Sequence, residues 1–234
     1  MTGMLELQGL TGGYGGVTVL RNVSISVPAA SVVALIGPNG AGKSTTLKTA
    51  SGLLRPREGQ VVLDGTDVTR MTPSQRVAHG MCHLIEGRGV FPSLTVRENM
   101  VLFAPKGRES EAFEEAAAAF PILGERRKQQ AGTLSGGEQQ MLALARAYVS
   151  RPRVVLVDEA SLGLAPLVVD AIFEFLDRLT KEGIALLLVE QYVTRALALA
   201  SSVYVLHKGE IAFSGASGDL DEERLFALYA GEAA

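Results

Sequence analysis

Gly37-Pro38-Asn39-Gly40-Ala41-Gly42-Lys43-Ser44 spaces three glycines, a lysine and a hydroxyl as a loop that holds phosphates would. Glycines at 37, 40 and 42 let consecutive N–H groups turn inward around phosphate oxygens, and the helix that follows adds the positive end of its dipole. Lys43 is then placed to reach the β and γ phosphates. The Ser44 hydroxyl suits a magnesium ion bridging them, and Thr45 and Thr46 suit the phosphates nearer the sugar. A second run, Val154-Val155-Leu156-Val157-Asp158-Glu159, reads as an apolar strand that ends in two carboxylates. Asp158 is the candidate magnesium ligand, through water, and Glu159 the candidate base that polarises the attacking water.

These groups need a frame. The apolar residues 31–36 predict a buried strand and residues 42–51 a helix opening straight from the glycines, the context a phosphate loop requires. Placing Asp158 and Glu159 at a strand end predicts the carboxyl edge of a parallel sheet, where ligand chemistry in open α/β sheets sits. Alternation in residues 5–8, 23–27 and 61–64 predicts half-buried antiparallel strands. Residues 95–150 read as helix-rich, with an Ala- and Glu-rich helix over 109–120 ended by Pro121. Residues 184–189 and 203–206 read as further strands, 168–181 as a helix, and Lys208-Gly209-Glu210 as a tight turn into a strand over 211–214.

Leu134-Ser135-Gly136-Gly137-Glu138-Gln139-Gln140 is a third element. Ser135 and Glu138 have capping-box spacing, and 141–148 continues as helix. Two glycines in a first turn weaken a helix by about 1 kcal/mol each, so they imply a close approach to the backbone. Read physically, Ser135, Gly136 and Gly137 make a second phosphate-seeking helix start, and one nucleotide cannot occupy both starts in one chain.

With all three elements present, the sequence resembles the ABC ATPases over essentially its whole length. The resemblance implies an α/β fold with a RecA-like, mainly parallel sheet core, an antiparallel β subdomain and a helical subdomain at about 95–150, as one ATP-binding domain over 1–234. It implies that ATP and magnesium are bound, and that two ATPase subunits close around ATP between the loop of one and Ser135, Gly136, Gly137 and Glu138 of the other. Tyr14 resembles the aromatic that stacks on adenine. Residues 91–99 resemble the stretch entering the helical subdomain, where transporters dock a membrane permease.

Three positions depart from the general family pattern. Glu86 stands where most members place a magnesium-sensing glutamine, and Arg88 is near enough in sequence to offset its charge. Gln191 replaces a switch histidine; its amide can hydrogen-bond a γ phosphate but cannot carry a proton. Ala165 stands where an aspartate usually contacts the partner. With the ending Leu228-Tyr229-Ala230-Gly231, these segments resemble the smaller ATP-binding subunit of branched-chain amino acid importers, urea and short-amide importers being the nearest confusion. That branch implies a second, different ATPase and permease subunits as partners, with a homodimer as the alternative. A soluble ABC ATPase acting on nucleic acid or ribosomes is the rival from another class.

Composition narrows this further. The 234 residues carry 22 basic and 25 acidic side chains, a net charge of −3, which offers no footprint for nucleic acid. Arg126-Arg127-Lys128 reads as a solvated helix end. Although 47% of residues are hydrophobic, no apolar run approaches the roughly 18–20 residues that span a bilayer. No leader-like segment is seen, so the expected location is the cytoplasmic face of the membrane, reached through permease partners. Cys82 is single, and His79, His83 and His207 are scattered, which argues against a cysteine or histidine metal site.

Overall fold

The computed structural model describes residues 3–85, 87 and 89–231. The chain begins with β1 (Leu5–Gly12) and β2 (Leu20–Val27), then β3 (Val32–Ile36), helix α1 (Lys43–Ala50), β4 (Glu58–Leu63) and the short β5 (Thr66–Asp67). Next come α2 (Pro73–Ala78), β6 (Met81–Leu84), α3 (Val96–Val101), α4 (Glu109–Ala119), α5 (Pro121–Glu125) and α6 (Gly136–Val149). The remainder alternates: β7 (Val154–Asp158), α7 (Pro166–Lys181), β8 (Ala185–Val189), α8 (Val193–Leu199), β9 (Ser202–His207), β10 (Glu210–Ala216) and α9 (Glu222–Ala230).

Two sheets form. β2-β1-β4-β5 is antiparallel, as the alternating segments predict, and β10-β9-β3-β8-β7-β6 is parallel except at the β10 hairpin. Every residue of β3, β7 and β8 is buried, so β3 and β8 read as unbroken apolar runs and β7 as one ended by Asp158. The period-2 geometry of a strand divides them between two cores. Val32, Ala34, Ile36, Val155, Val157, Leu186 and Leu188 pack with the helices, whereas Val33, Leu35, Val154, Leu156 and Leu187 pack with the antiparallel sheet. Leu47 and Ala50 of α1 belong to the second core, which puts this helix between the sheets.

The strand order positions the chemistry. β3, β8 and β7 are consecutive and parallel, so their carboxyl ends open on one edge. β9 returns to the other side of β3, which makes the end of β3 the point where the strand order reverses, the usual ligand crevice of an open α/β sheet.

Several boundaries differ from the sequence reading. Pro121 both follows the end of α4 and opens α5, where its missing N–H costs nothing. The strand over 61–64 begins earlier, at Glu58, and stops at Leu63 because Asp64 enters a turn at φ 46°. Lys208 and Gly209 adopt φ 48° and 86°, the left-handed pair that a two-residue hairpin turn needs. β6 was not anticipated: Met81-Cys82-His83-Leu84 lacks alternation, and its pairing with β7 makes it a strand.

Candidate functional site

At the end of β3 the backbone leaves the sheet through Gly37, where an added Cβ would lie 2.1 Å from the Leu206 carbonyl oxygen. Gly40 and Gly42 sit at φ 80° and 113°, and Ala41 N–H donates to Pro38 O at 3.1 Å, closing the loop. Gly42 is the N-cap of α1, no side chain caps its first turn, and Gly42, Lys43, Ser44 and Thr45 line the cleft, so a helix start suited to an anion borders it. Pro38, Asn39 and Gly40 form the exposed or half-buried rim, while the Ala41 methyl packs into the core.

Lys43 is 9% exposed, and its Nζ donates to Gly37 O at 2.8 Å and Pro38 O at 3.3 Å. Burial pulls its pKa below the ordinary lysine value, and the charges of Glu159 and Asp158 oppose that shift. Ser44 Oγ donates to Asp158 Oδ1 at 3.0 Å. A cleft of about 500 Å³ is lined by Lys43, Ser44, Thr45, Glu159, Gln191 and Val19, along with Asn39, Gly40, Gly42 and Leu162. A smaller one of about 270 Å³ adjoins it around Gly37, Pro38, Lys43, Glu159, Glu190, Gln191 and Tyr229. Four residues from three adjacent strand ends thus share one space, Lys43 and Ser44 after β3, Glu159 just after β7 and Gln191 after β8, with Asp158 buried behind Ser44.

Glu159 carries a backbone strain. Its φ of 48° is in the left-handed region, which costs a non-glycine residue roughly 1–2 kcal/mol. Its N–H donates to Val189 O at 2.9 Å, so the end of β8 holds it there.

The other expected residues fall elsewhere. Thr46 is fully buried, with its hydroxyl turned onto Gly42 O at 3.0 Å inside the helix. Tyr14 stands 48% exposed on the turn closed by the Val17 N–H to Tyr14 O bond, and lines neither cleft. Glu86 and Arg88 lie outside the described residues. Among the described residues no cluster of three or more His, Cys, Asp or Glu side chains is arranged for a metal.

Ser135, Gly136, Gly137 and Glu138 open α6 and line neither cleft. Both arms of the capping box form: Glu138 N–H to Ser135 Oγ at 3.3 Å and Ser135 N–H to Glu138 Oε2 at 2.8 Å. Arg126 Nε pairs with Glu138 Oε1 at 2.8 Å, so the first residue of the basic cluster supports this helix start. The close approach at Gly137 has an internal source, since a Cβ there would lie 2.9 Å from Cγ2 of Val168 on α7.

Two residues at the site escaped the sequence reading. Tyr229 of α9 brings its phenol to the Gly37 amide, which opposes the upward shift that burial imposes on its pKa. Glu190, 2% exposed, follows the five apolar residues of β8; an acid in a buried run is itself a signal, because carboxylates are rarely buried without partners.

Residues 20–162 match the model of the ABC transporter family. The chain is 41% identical over 211 residues to the high-affinity branched-chain amino acid transport ATP-binding protein BraG of Pseudomonas aeruginosa, covering 89% of this chain and 91% of that one. It is 38% identical over 227 residues to a probable branched-chain amino acid transport ATP-binding protein, LivF, of Archaeoglobus fulgidus, covering 95% and 96%. Among solved structures, an ATP-binding subunit of an ABC transporter superposes with a TM-score of 0.86 at 26% identity, covering 97% of this chain and 99% of that one. The ADP conformation of an ATP-binding cassette of an ABC transporter gives 0.84 at 26% identity, covering 98% and 96%. A phosphate loop, a carboxylate pair at the neighbouring strand end and the capped glycine helix agree with these likenesses, and the chain belongs to the ABC transporter family as one of its ATP-binding, ATP-hydrolysing cassettes.

Proposed function

We propose that this chain powers uptake of branched-chain or related amino acids, closing with a second ATPase subunit around two ATP molecules and pulling on permease subunits at the cytoplasmic side of the membrane. The observation that carries the hydrolytic part is the convergence of Lys43, Ser44, Glu159 and Gln191 on one cleft, with Asp158 bonded to Ser44 behind it. Lys43 and the first-turn N–H groups of α1 bind and orient the phosphates. Glu159 accepts the proton of the attacking water, and the Gln191 amide donates to the γ phosphate.

The Ser44 hydroxyl and Asp158 carboxylate are hard oxygen donors 3.0 Å apart, a pair that fits magnesium. Bound there, the ion would supply charge neutralisation at the phosphates. Ser135, Gly136, Gly137 and Glu138, which line neither cleft of their own chain, are assigned to the partner's ATP, and Tyr14 to adenine.

Membrane attachment is assigned to partners, since among the described residues no helix is long and apolar enough to cross a membrane. The docking segment is residues 91–99. Asn99 is fully buried and wires it: Phe91 N–H donates to its Oδ1 at 2.8 Å, and its Nδ2 donates to Phe91 O and Thr95 O, each at 3.0 Å. Phe91 and Leu102 are left 46% and 56% exposed beside it. The amino acid cargo is supported by the likeness to BraG and LivF.

Purification of the tagged chain in mild detergent, with mass spectrometry of what accompanies it, tests this reading. Two permeases and a different ATPase are expected; ribosomes or nucleic acid in their place would overturn it. Vesicles holding that complex should take up leucine, isoleucine or valine with ATP, and uptake of urea instead would reassign the cargo.

A further inference from the structure

The roles above leave one buried acid at the site unused. Glu190 Oε1 accepts the Ser161 N–H at 3.1 Å, while Oε2 accepts the Ser161 hydroxyl and the Gln191 N–H, the latter at 3.3 Å. Ser161 is fully buried. Three donors converging on two oxygens suit a carboxylate, because an amide offers one acceptor oxygen and an apolar side chain none. A buried Ser161 N–H without its acceptor would be costly.

The backbone geometry shows what this contact holds. Glu159 sits in the left-handed region, and such a conformation persists in a non-glycine residue only where its surroundings over-determine it. Consecutive residues at the end of β8 supply that restraint. The Val189 carbonyl takes the N–H of Glu159, and the Glu190 carboxylate takes the N–H and hydroxyl of Ser161, two residues on. The same carboxylate reaches forward to the N–H of Gln191, which lines the same cleft as Glu159.

We propose that Glu190 is a positioning residue for ATP hydrolysis: by bridging Ser161 to Gln191 it fixes Glu159 and Gln191 relative to one another across the cleft they share. The proposal rests on the reading of Glu159 as the base. Burial, reinforced by the nearby charge of Glu159, pushes the Glu190 carboxyl above its ordinary pKa against the pull of its three donors. The three bonds are therefore made in spite of an unfavourable site for charge, which agrees with a positional role. The contact also joins the loop from Ser161 to Ala165, which begins at the buried hydroxyl and ends at the exposed N-cap of α7, to the segment carrying Gln191.

The test uses the chain with the partner subunits that accompany it, and measures kcat, KM for ATP and Tm for Glu190→Gln and Ser161→Ala. Each is expected to lower kcat by about tenfold or more while KM stays within about twofold, the signature of lost transition-state geometry with binding retained. The double variant should lose no more than the worse single variant, because both remove one contact. Unchanged kcat in both singles, a loss confined to KM, or multiplicative losses in the double would overturn the proposal. Should Glu190→Gln fail to fold, Ser161→Ala decides alone, since it deletes only a hydroxyl. Glu159→Gln in the same complex separates the two readings: residual turnover there sinks the base assignment, whereas abolished turnover with normal Glu190→Gln kinetics sinks only the positioning role.

Discussion

Ser44 Oγ donates to Asp158 Oδ1 at 3.0 Å, so the first turn of α1 and the end of β7 meet at a single pair of oxygens. Asp158 is 2% exposed and stands behind Ser44. Asp158→Asn keeps the shape and removes the charge. ATP affinity measured with magnesium is expected to fall about tenfold, approaching the value measured with a chelator, which should change little. Equal losses with and without magnesium would remove Asp158 from the metal role.

Lys43 is the buried cation of the cleft, with Nζ on Gly37 O and Pro38 O. Lys43→Met preserves its length. Affinity for ATP, followed with a fluorescent analogue, should drop by about a hundredfold, because a charge-assisted contact to the phosphates is lost. Tm should hold or rise, since burial disfavours this ammonium. A folded variant with unaltered affinity would contradict the assignment.

His83 gives a pH prediction. Its Nδ1 lies 3.0 Å from Ser51 Oγ, and burial, with the charge of Lys48 second, takes its pKa from the ordinary 6.5 down to about 4. The unfolded chain therefore binds the proton first as pH falls. Stability is full above about 6.5 and declines between about 6.5 and 4, by up to roughly 3 kcal/mol from this group. Denaturant titrations of wild type and His83→Gln across that window measure it; the variant should lack this part of the acid loss. Identical pH profiles would show that His83 is not the group responsible.

Tyr229 places a phenol against the amide of Gly37, the first residue of the phosphate loop. Tyr229→Phe keeps the ring and deletes the contact. A rise in KM for ATP of about two- to fivefold is expected, with kcat within twofold, because the loop's first amide loses its partner and not its fold. A large fall in Tm would instead make Tyr229 a packing residue.

Much of the site was legible because it is local. Glycines at 37, 40 and 42, the lysine after them and the acids at the end of an apolar run are set by the conformations and charges those residue types permit, and the frame of β3, β7 and β8 followed from apolar runs of strand length. The capping box at Ser135 was likewise written in three-residue spacing. What stayed hidden is tertiary. Glu190 acquires its meaning only when β8 lies beside β7 and Ser161 is folded beneath it. Tyr229 does so only when α9 returns to the start of the loop. At Gly137 the glycines implied a close approach to the backbone without saying of what, and within the chain the neighbour is Val168. β6 depends on an edge pairing with β7 that a sequence of mixed Met, Cys, His and Leu does not announce.

The division of β3, β7 and β8 between two cores sets how this protein can vary. Neighbouring residues on one strand answer to different parts of the molecule: Val155 to the helical core, and Leu156 to the core that α1 shares with the antiparallel sheet. A substitution that alters the volume of Val155 should therefore find its genetic suppressors among helical residues such as Leu142 or Ile172. One at Leu156 should find them in α1, at Leu47 or Ala50, the helix between the two sheets. The two halves of the molecule can then accumulate changes along separate histories while the strand ends that carry the chemistry remain fixed between them.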